Sequence, residues 1–227
     1  MLKYIFPVII LFSLLLSCVT MSETAPDPEP EQTAILSSVP VQPEIQPPAV
    51  IPDPTSVPPE IPPPSVNIMG RGRVPAEKLV LFLLQNNSDV NSGYVKTLAV
   101  FYIDEAVFEG INHDTAFAQM CLETGFLKYG GLVRPDWNNF CGLGAIGPGQ
   151  PGEIFPDPRT GVRAHIQHLK AYATTEPLKG ALVDPRYRYV RKGSSPTING
   201  LSGTWATDKS YSSKIYSILQ RMYEFSF

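Results

Sequence analysis

Apolar positions recur with a helical period in five separate stretches of the chain. After Pro75, the segment PAEKLVLFLLQNN opens on proline and glutamate, carries a dense apolar interior and closes on an asparagine pair, the start and stop signals of a helix. From Ser92 to Glu109, residues Val95, Leu98, Ala99, Tyr102, Ile103, Ala106 and Val107 fall three and four apart. That spacing predicts a helix with one apolar face, stopped by Gly110. A third helix through AFAQMCLETGFL is capped by Asn112 or Asp114 and broken by Gly125, Gly130 and Gly131. Val162, Ile166, Leu169 and Ala173 within GVRAHIQHLKAYATT predict a fourth; Tyr211, Ile215, Ile218, Leu219 and Met222 predict a last. Between the third and fourth, Gly130 to Arg159 is rich in glycine, proline and asparagine but holds apolar pieces such as NNFCGLGAIG. A loop this long inside a domain is usually functional or disordered. Its apolar residues argue for order, as small strands or loops lining a cleft. The pattern by itself predicts a mainly helical domain with small strands or ordered loops beside the third helix.

Two N-terminal segments break this pattern. Lys3 followed by the apolar run Ile5 to Leu16 reads as a signal peptide over residues 1–18, since the run falls short of the roughly 20 apolar residues a spanning helix needs. It ends on Leu15-Leu16-Ser17-Cys18, which resembles the lipobox of bacterial lipoproteins. The implied product is lipidated at Cys18 and held at a membrane by its acyl chains, in the cell envelope facing the periplasm or the cell surface. Residues 19–67 hold more than half of the 24 prolines without apolar periodicity, the composition of a disordered, semi-rigid spacer. Residues 68–227 are the right size for one folded domain, expected to be a monomer.

Charge and cysteine content narrow the chemistry. A net charge of −3 with dispersed acids gives no footprint for nucleic acid. Arg186, Arg188, Arg191 and Lys192, interleaved with Tyr187 and Tyr189, form a local basic run, either a solvated face or a rim for a polyanionic polymer. Besides Cys18, only Cys121 and Cys141 remain, as a disulfide or as two buried thiols. His165 and His168 are three apart on one helix but lack a third ligand or an HExxH spacing, so no metal and no cofactor is expected.

Glu123 is the candidate acid. It follows Ala116 by seven residues and Met120 by three, which places it on their apolar face near a helix end. A carboxyl held against apolar atoms is costly to ionise, and the raised pKa that results suits a general acid. Asn138, Asn139 and Phe140 are candidate cleft-wall residues, with amides to hydrogen-bond a ligand and a ring to stack on one; the competing role for the asparagine pair is a turn. Trp205 can likewise stack on a ligand or pack in the core. Glu153 and Asp208, with Asp157, are candidates for a second carboxylate, and spacing fixes none of them.

Four ordered blocks, GINHDTAFAQMCLETGFLKYGG, NNFCGLGAIG, GVRAHIQHLKAYA and GTWATDKSYSSKI, resemble the glucosaminidase domain of family-73 glycoside hydrolases, in its lipoprotein-like branch. The resemblance covers most of the chain after Val74. It implies a fold class of α+β, mainly helical: a lysozyme-like domain with a small loop and strand lobe beside the catalytic helix, whose groove binds the peptidoglycan glycan strand and cleaves the β-1,4 bond after N-acetylglucosamine. It also implies that Glu123, within AQMCLETG, is the catalytic acid and that Tyr211, after WATD, acts beside it. Two other readings stand against hydrolysis: a lytic transglycosylase using the same acid, and a peptidoglycan-binding lipoprotein without activity.

Overall fold

The computed structural model describes residues 61–131, 133–145, 147, 149, 150 and 152–227; the signal segment, Cys18 and the spacer up to residue 60 lie outside the described residues. Five helices carry the described part: α1 (Ala76–Asn86), α2 (Ser92–Glu109), α3 (His113–Thr124), α4 (Pro158–Ala173) and α5 (Tyr211–Ser226). Short 3-10 turns occur at Pro135–Trp137, Tyr187–Tyr189 and Ile198–Leu201. Among the described residues, no helix is long and apolar enough to cross a membrane.

The helix ends follow local chemistry. Asn91 caps α2 by accepting from the Tyr94 amide at 2.9 Å, and Asn112 caps α3 by accepting from the Asp114 amide at 3.0 Å. Asp157 caps α4 through the Thr160 amide and hydroxyl, with Pro158 in the first turn. Gly110 and Gly125 end α2 and α3 in the left-handed region, at φ 84° and 57°.

Helix α3 is the centre of the domain. It packs on α2, α4 and α5, and every residue from His113 to Cys121 is buried. A helix enclosed on all sides must satisfy its polar side chains internally. Asp114 accepts from the backbone amides of Arg73 and Val74 and from the Tyr223 hydroxyl, which ties the chain entering α1 and the helix α5 to the start of α3.

Two expectations are corrected. The apolar face predicted for α2 included Ile103 and Val107, yet Val107 is 46% exposed, while Glu105 and Glu109 are buried. Both acids face α4 and neighbouring loops: Glu105 accepts from Arg159 and Arg163, and Glu109 from Lys170 at 2.8 Å and from the amides of Lys179 and Gly180. Burial would raise both carboxyls, but these donors outweigh it and hold them below the usual glutamate range. The second concerns the lobe expected as small strands or ordered loops: its described residues are loop, with isolated bridges only. Left-handed backbone at Gly142 and Gly144 (φ 67° and 75°) turns the chain where a strand would continue.

Candidate active site

Glu123 sits in the last turn of α3, where the helix emerges from the core. Ala116 and Met120 are wholly buried, whereas Glu123 retains exposed surface and opens on a groove. The face shared with Ala116 and Met120 therefore does not bury the acid as spacing implied. Groove walls crowd the carboxyl instead, and this partial loss of water raises its pKa despite hydrogen bonds that pull the other way. Thr124 fixes the exit: its hydroxyl donates to the Met120 carbonyl at 2.8 Å and accepts from the Leu127 amide at 2.9 Å. Beyond it, Phe126, Leu127 and Tyr129 all adopt positive φ (58°, 61° and 56°), a strained path for non-glycine residues.

Two donors meet one carboxylate oxygen. Trp205 Nε1 donates to Glu123 Oε1 at 3.1 Å, and the Tyr211 hydroxyl donates to the same oxygen through a very short contact. Tyr211 starts α5 and Trp205 follows the Ile198–Leu201 turn, so both lie more than eighty residues from Glu123 in the chain. Burial and the charge on Glu123 push the Tyr211 phenol well above its ordinary range, so it stays a donor.

Behind Tyr211 runs a buried chain of hydrogen bonds that spacing did not reveal. Gln119 Nε2 donates to the Tyr211 oxygen at 2.8 Å. The other side of that amide, Oε1, faces His165 Nε2 at 2.9 Å, and His165 Nδ1 faces the Tyr102 hydroxyl at 2.9 Å. Burial lowers the His165 pKa to about 3, so the ring is neutral at ordinary pH. An amide oxygen only accepts, so the ring proton is on Nε2 and Tyr102 must donate to Nδ1. Every donor from Tyr102 through His165, Gln119 and Tyr211 thus points towards Glu123. The visible signals were that Gln119 precedes Glu123 by one helical turn and that His165 lies on the apolar face of α4, where a polar ring needs a partner.

The groove holding Glu123 has a volume of about 580 Å³ and is walled by Tyr129, Val133, Gly142 and Trp205, among others. A Cβ at Gly142 would stand 3.7 Å from Glu123 Oε2, so the glycine keeps the carboxyl open to the groove. Trp205 packs against the rings of His165, His168 and Tyr172 at centroid distances of 5.8, 5.0 and 5.6 Å and also walls the groove, joining the two roles expected of it as alternatives.

For the asparagine block, the turn role weighed against cleft-wall contact matches the geometry. Phe140 is completely buried beside Tyr102 and cannot stack on a sugar. Asn139 is 1% exposed, and its amide staples the loop through Leu143 N, Leu143 O and Glu153 O. Asn138 occupies a left-handed turn position at φ 52° and donates to the Phe155 carbonyl. The asparagine pair builds turn and loop, and Phe140 packs in the core. Asp208 is spent on Ser210 and Lys214, which hold its carboxyl at about 2. Glu153 lies against Gly144, and neither acid walls the groove. Among the described residues that do, Glu123 is the sole carboxylate. Cys121 and Cys141 are buried free thiols, their ionisation suppressed by burial. His168 pairs with Asp184 at 2.7 Å.

Comparison with known proteins places the chain in a family. The chain is 44% identical over 159 residues to an uncharacterized protein of Borreliella burgdorferi, covering 70% of this chain and 78% of that one. No solved structure matches it. The profile of the glucosaminidase family, described as mannosyl-glycoprotein endo-beta-N-acetylglucosaminidase, matches residues 99–224, which span α2 to α5 with Glu123, Trp205 and Tyr211. The chain belongs to the glucosaminidase family.

Proposed function

We propose that the protein is a peptidoglycan hydrolase, an endo-β-N-acetylglucosaminidase cleaving the β-1,4 bond after N-acetylglucosamine, with Glu123 as general acid. The observation that carries this reading is a groove carboxyl whose pKa is raised by its walls while Tyr211 and Trp205 donate to a single oxygen, Oε1. Oε2 receives neither of those bonds and lies beside Gly142. Protonated Glu123 gives its proton to the glycosidic oxygen, the C1–O bond breaks, and the sugar develops oxocarbenium character. Glu123 then becomes the anion that Tyr211 and Trp205 are placed to stabilise.

Because no other carboxylate among the described residues walls the groove, the reading includes substrate assistance: the 2-acetamido oxygen attacks C1 as the leaving group departs. Water then adds at C1, and the Glu123 carboxylate accepts its proton, restoring the acid. The N-terminal lipid anchor and spacer belong to the same proposal, since they would tether the domain at a membrane while it reaches the wall.

Digestion of purified peptidoglycan by the full chain and by Glu123→Gln, with borohydride reduction and mass spectrometry, tests the reading. New N-acetylglucosamine reducing ends from the first and none from the second are expected, a loss of at least about 10²-fold for a general acid. Anhydromuramyl ends would reassign the chemistry to lytic transglycosylation. No fragments from the folded protein would leave a binding protein.

A further inference from the structure

Next to the groove, with Trp205 as a shared wall, lies a smaller recess of about 190 Å³. It shares Cys141, Gly142, Ala145 and Trp205 with the groove, so the two are adjoining parts of one depression. Small-molecule pockets usually begin at about 300 Å³. The recess is thus suited to a substituent projecting from a sugar held in the groove, not to another ring of the strand.

Its chemistry differs from that of the groove as well. Arg186 and His168 line it, together with Tyr172 and Tyr189. Asp184, the acid that pairs with His168, is already engaged: it is buried, Oδ2 bonds His168 Nδ1 at 2.7 Å, and Oδ1 accepts from the Arg186 backbone amide at 2.8 Å, while Glu153 lies against Gly144 on the recess wall. The Arg186 guanidinium carbon lies 4.8 Å from the Tyr189 ring centroid, as does that of Arg188, and the Arg186 guanidinium has no carboxylate partner among the described residues. The cation–π contact holds the guanidinium beside the recess, and a guanidinium with unpaired N–H groups can bind a carboxylate through two parallel hydrogen bonds.

We propose that this recess is a subsite for a carboxylate carried on a substituent of the glycan, read by Arg186. The inference rests on the peptidoglycan reading above. In such a strand the carboxylates are carried by the muramyl residue, either on its lactyl ether or, where the lactyl group is amide-linked, on the attached peptide. Arg186 therefore selects acidic glycan over a neutral N-acetylglucosamine polymer, and the recess orients the muramyl residue next to the bond that Glu123 protonates.

The experiment measures equilibrium binding to the full chain carrying Glu123→Gln, with and without Arg186→Ala, using three forms of one glycan strand. The first is peptide-free with free lactyl carboxylates, the second is the same strand with those carboxylates reduced to alcohols, and the third bears peptides. Arg186→Ala is expected to weaken binding of an acidic strand at least about tenfold while leaving the reduced strand unchanged. Weakening of the peptide-free strand identifies the lactyl carboxylate as the occupant, and weakening of the peptide-bearing strand identifies a peptide acid. Equal weakening of all three, or of none, overturns the subsite. Arg186→Gln, which keeps a side chain that can cover Tyr189, replaces alanine if thermal melting shows the loop has loosened. Because binding is read in a chain lacking Glu123, absent turnover in the unaltered protein would sink the hydrolase reading without deciding the recess.

Discussion

At Glu123 two effects compete. Crowding by the groove raises the cost of ionisation, whereas hydrogen bonds from Tyr211 and Trp205 lower it, and the first prevails. Removing a donor should therefore shift the balance further. In Tyr211→Phe, Glu123 stays protonated to higher pH, so the alkaline limb of the pH–rate profile moves upward while the maximum rate falls about 10²-fold for loss of a donor that stabilises charge. A limb that stayed in place would mean that Tyr211 does not act through Glu123. The same balance has a stability consequence. A carboxyl with a raised folded pKa binds more protons folded than unfolded above the ordinary glutamate range, so stability falls as pH rises through that window. Glu123→Gln should accordingly raise the melting temperature at neutral pH, and the gain should vanish in acid below that range.

Among the helices, α4 does the most to place the site without touching the groove carboxyl. It supplies His165 to the donor chain, His168 and Tyr172 as packing for Trp205, and Arg163 and Lys170 to the buried acids of α2. Its docking depends on Gly161. A Cβ there would lie 1.8 Å from the Asn138 carbonyl oxygen, far inside contact distance and against backbone that cannot swing away. Gly161→Ala must push the helix and the Asn138 turn apart, with an expected loss of about 1–3 kcal/mol in urea unfolding. Turnover should fall with it, because the 2.9 Å contact between His165 and Gln119 depends on the same docking. An alanine variant as stable and active as the parent would show that the close approach is not needed.

For the domain as a whole, the buried donor chain behind Tyr211 sets part of the acid stability. His165 is enclosed by Tyr102, Gln119, His168 and Trp205 and stays neutral down to about pH 3, against an ordinary value of 6.5. Between those values the unfolded chain binds a proton that the folded protein refuses, so stability is lost as pH falls through the window. The acids Glu105 and Glu109, with lowered values, add their own loss in stronger acid. His165→Asn should be less stable than the parent at pH 7, for want of ring contacts, but its urea midpoint should fall less between pH 7 and pH 4. Parallel declines in the two proteins would mean that this ring does not carry the acid sensitivity.

Apolar spacing and capping residues by themselves determined five helices at nearly their observed bounds, because both signals act within one or two turns of chain. The AQMCLETG motif marked Glu123 as the candidate acid by its resemblance to the family pattern, and its place near a helix end with a glycine stop is a local feature. What tertiary structure decided was every contact between distant turns. Spacing could not show that α2 turns Glu105 and Glu109 inward, because burying those acids depends on cations that α4 brings to them. Nor could it separate Phe140 and Asn139, which the loop encloses, from Trp205, which reaches the carboxyl. The line of donors from Tyr102 to Glu123 joins side chains of α2, α4, α3 and α5, and a hydrogen bond needs atoms within about 3 Å. Only the packing of those helices sets such distances.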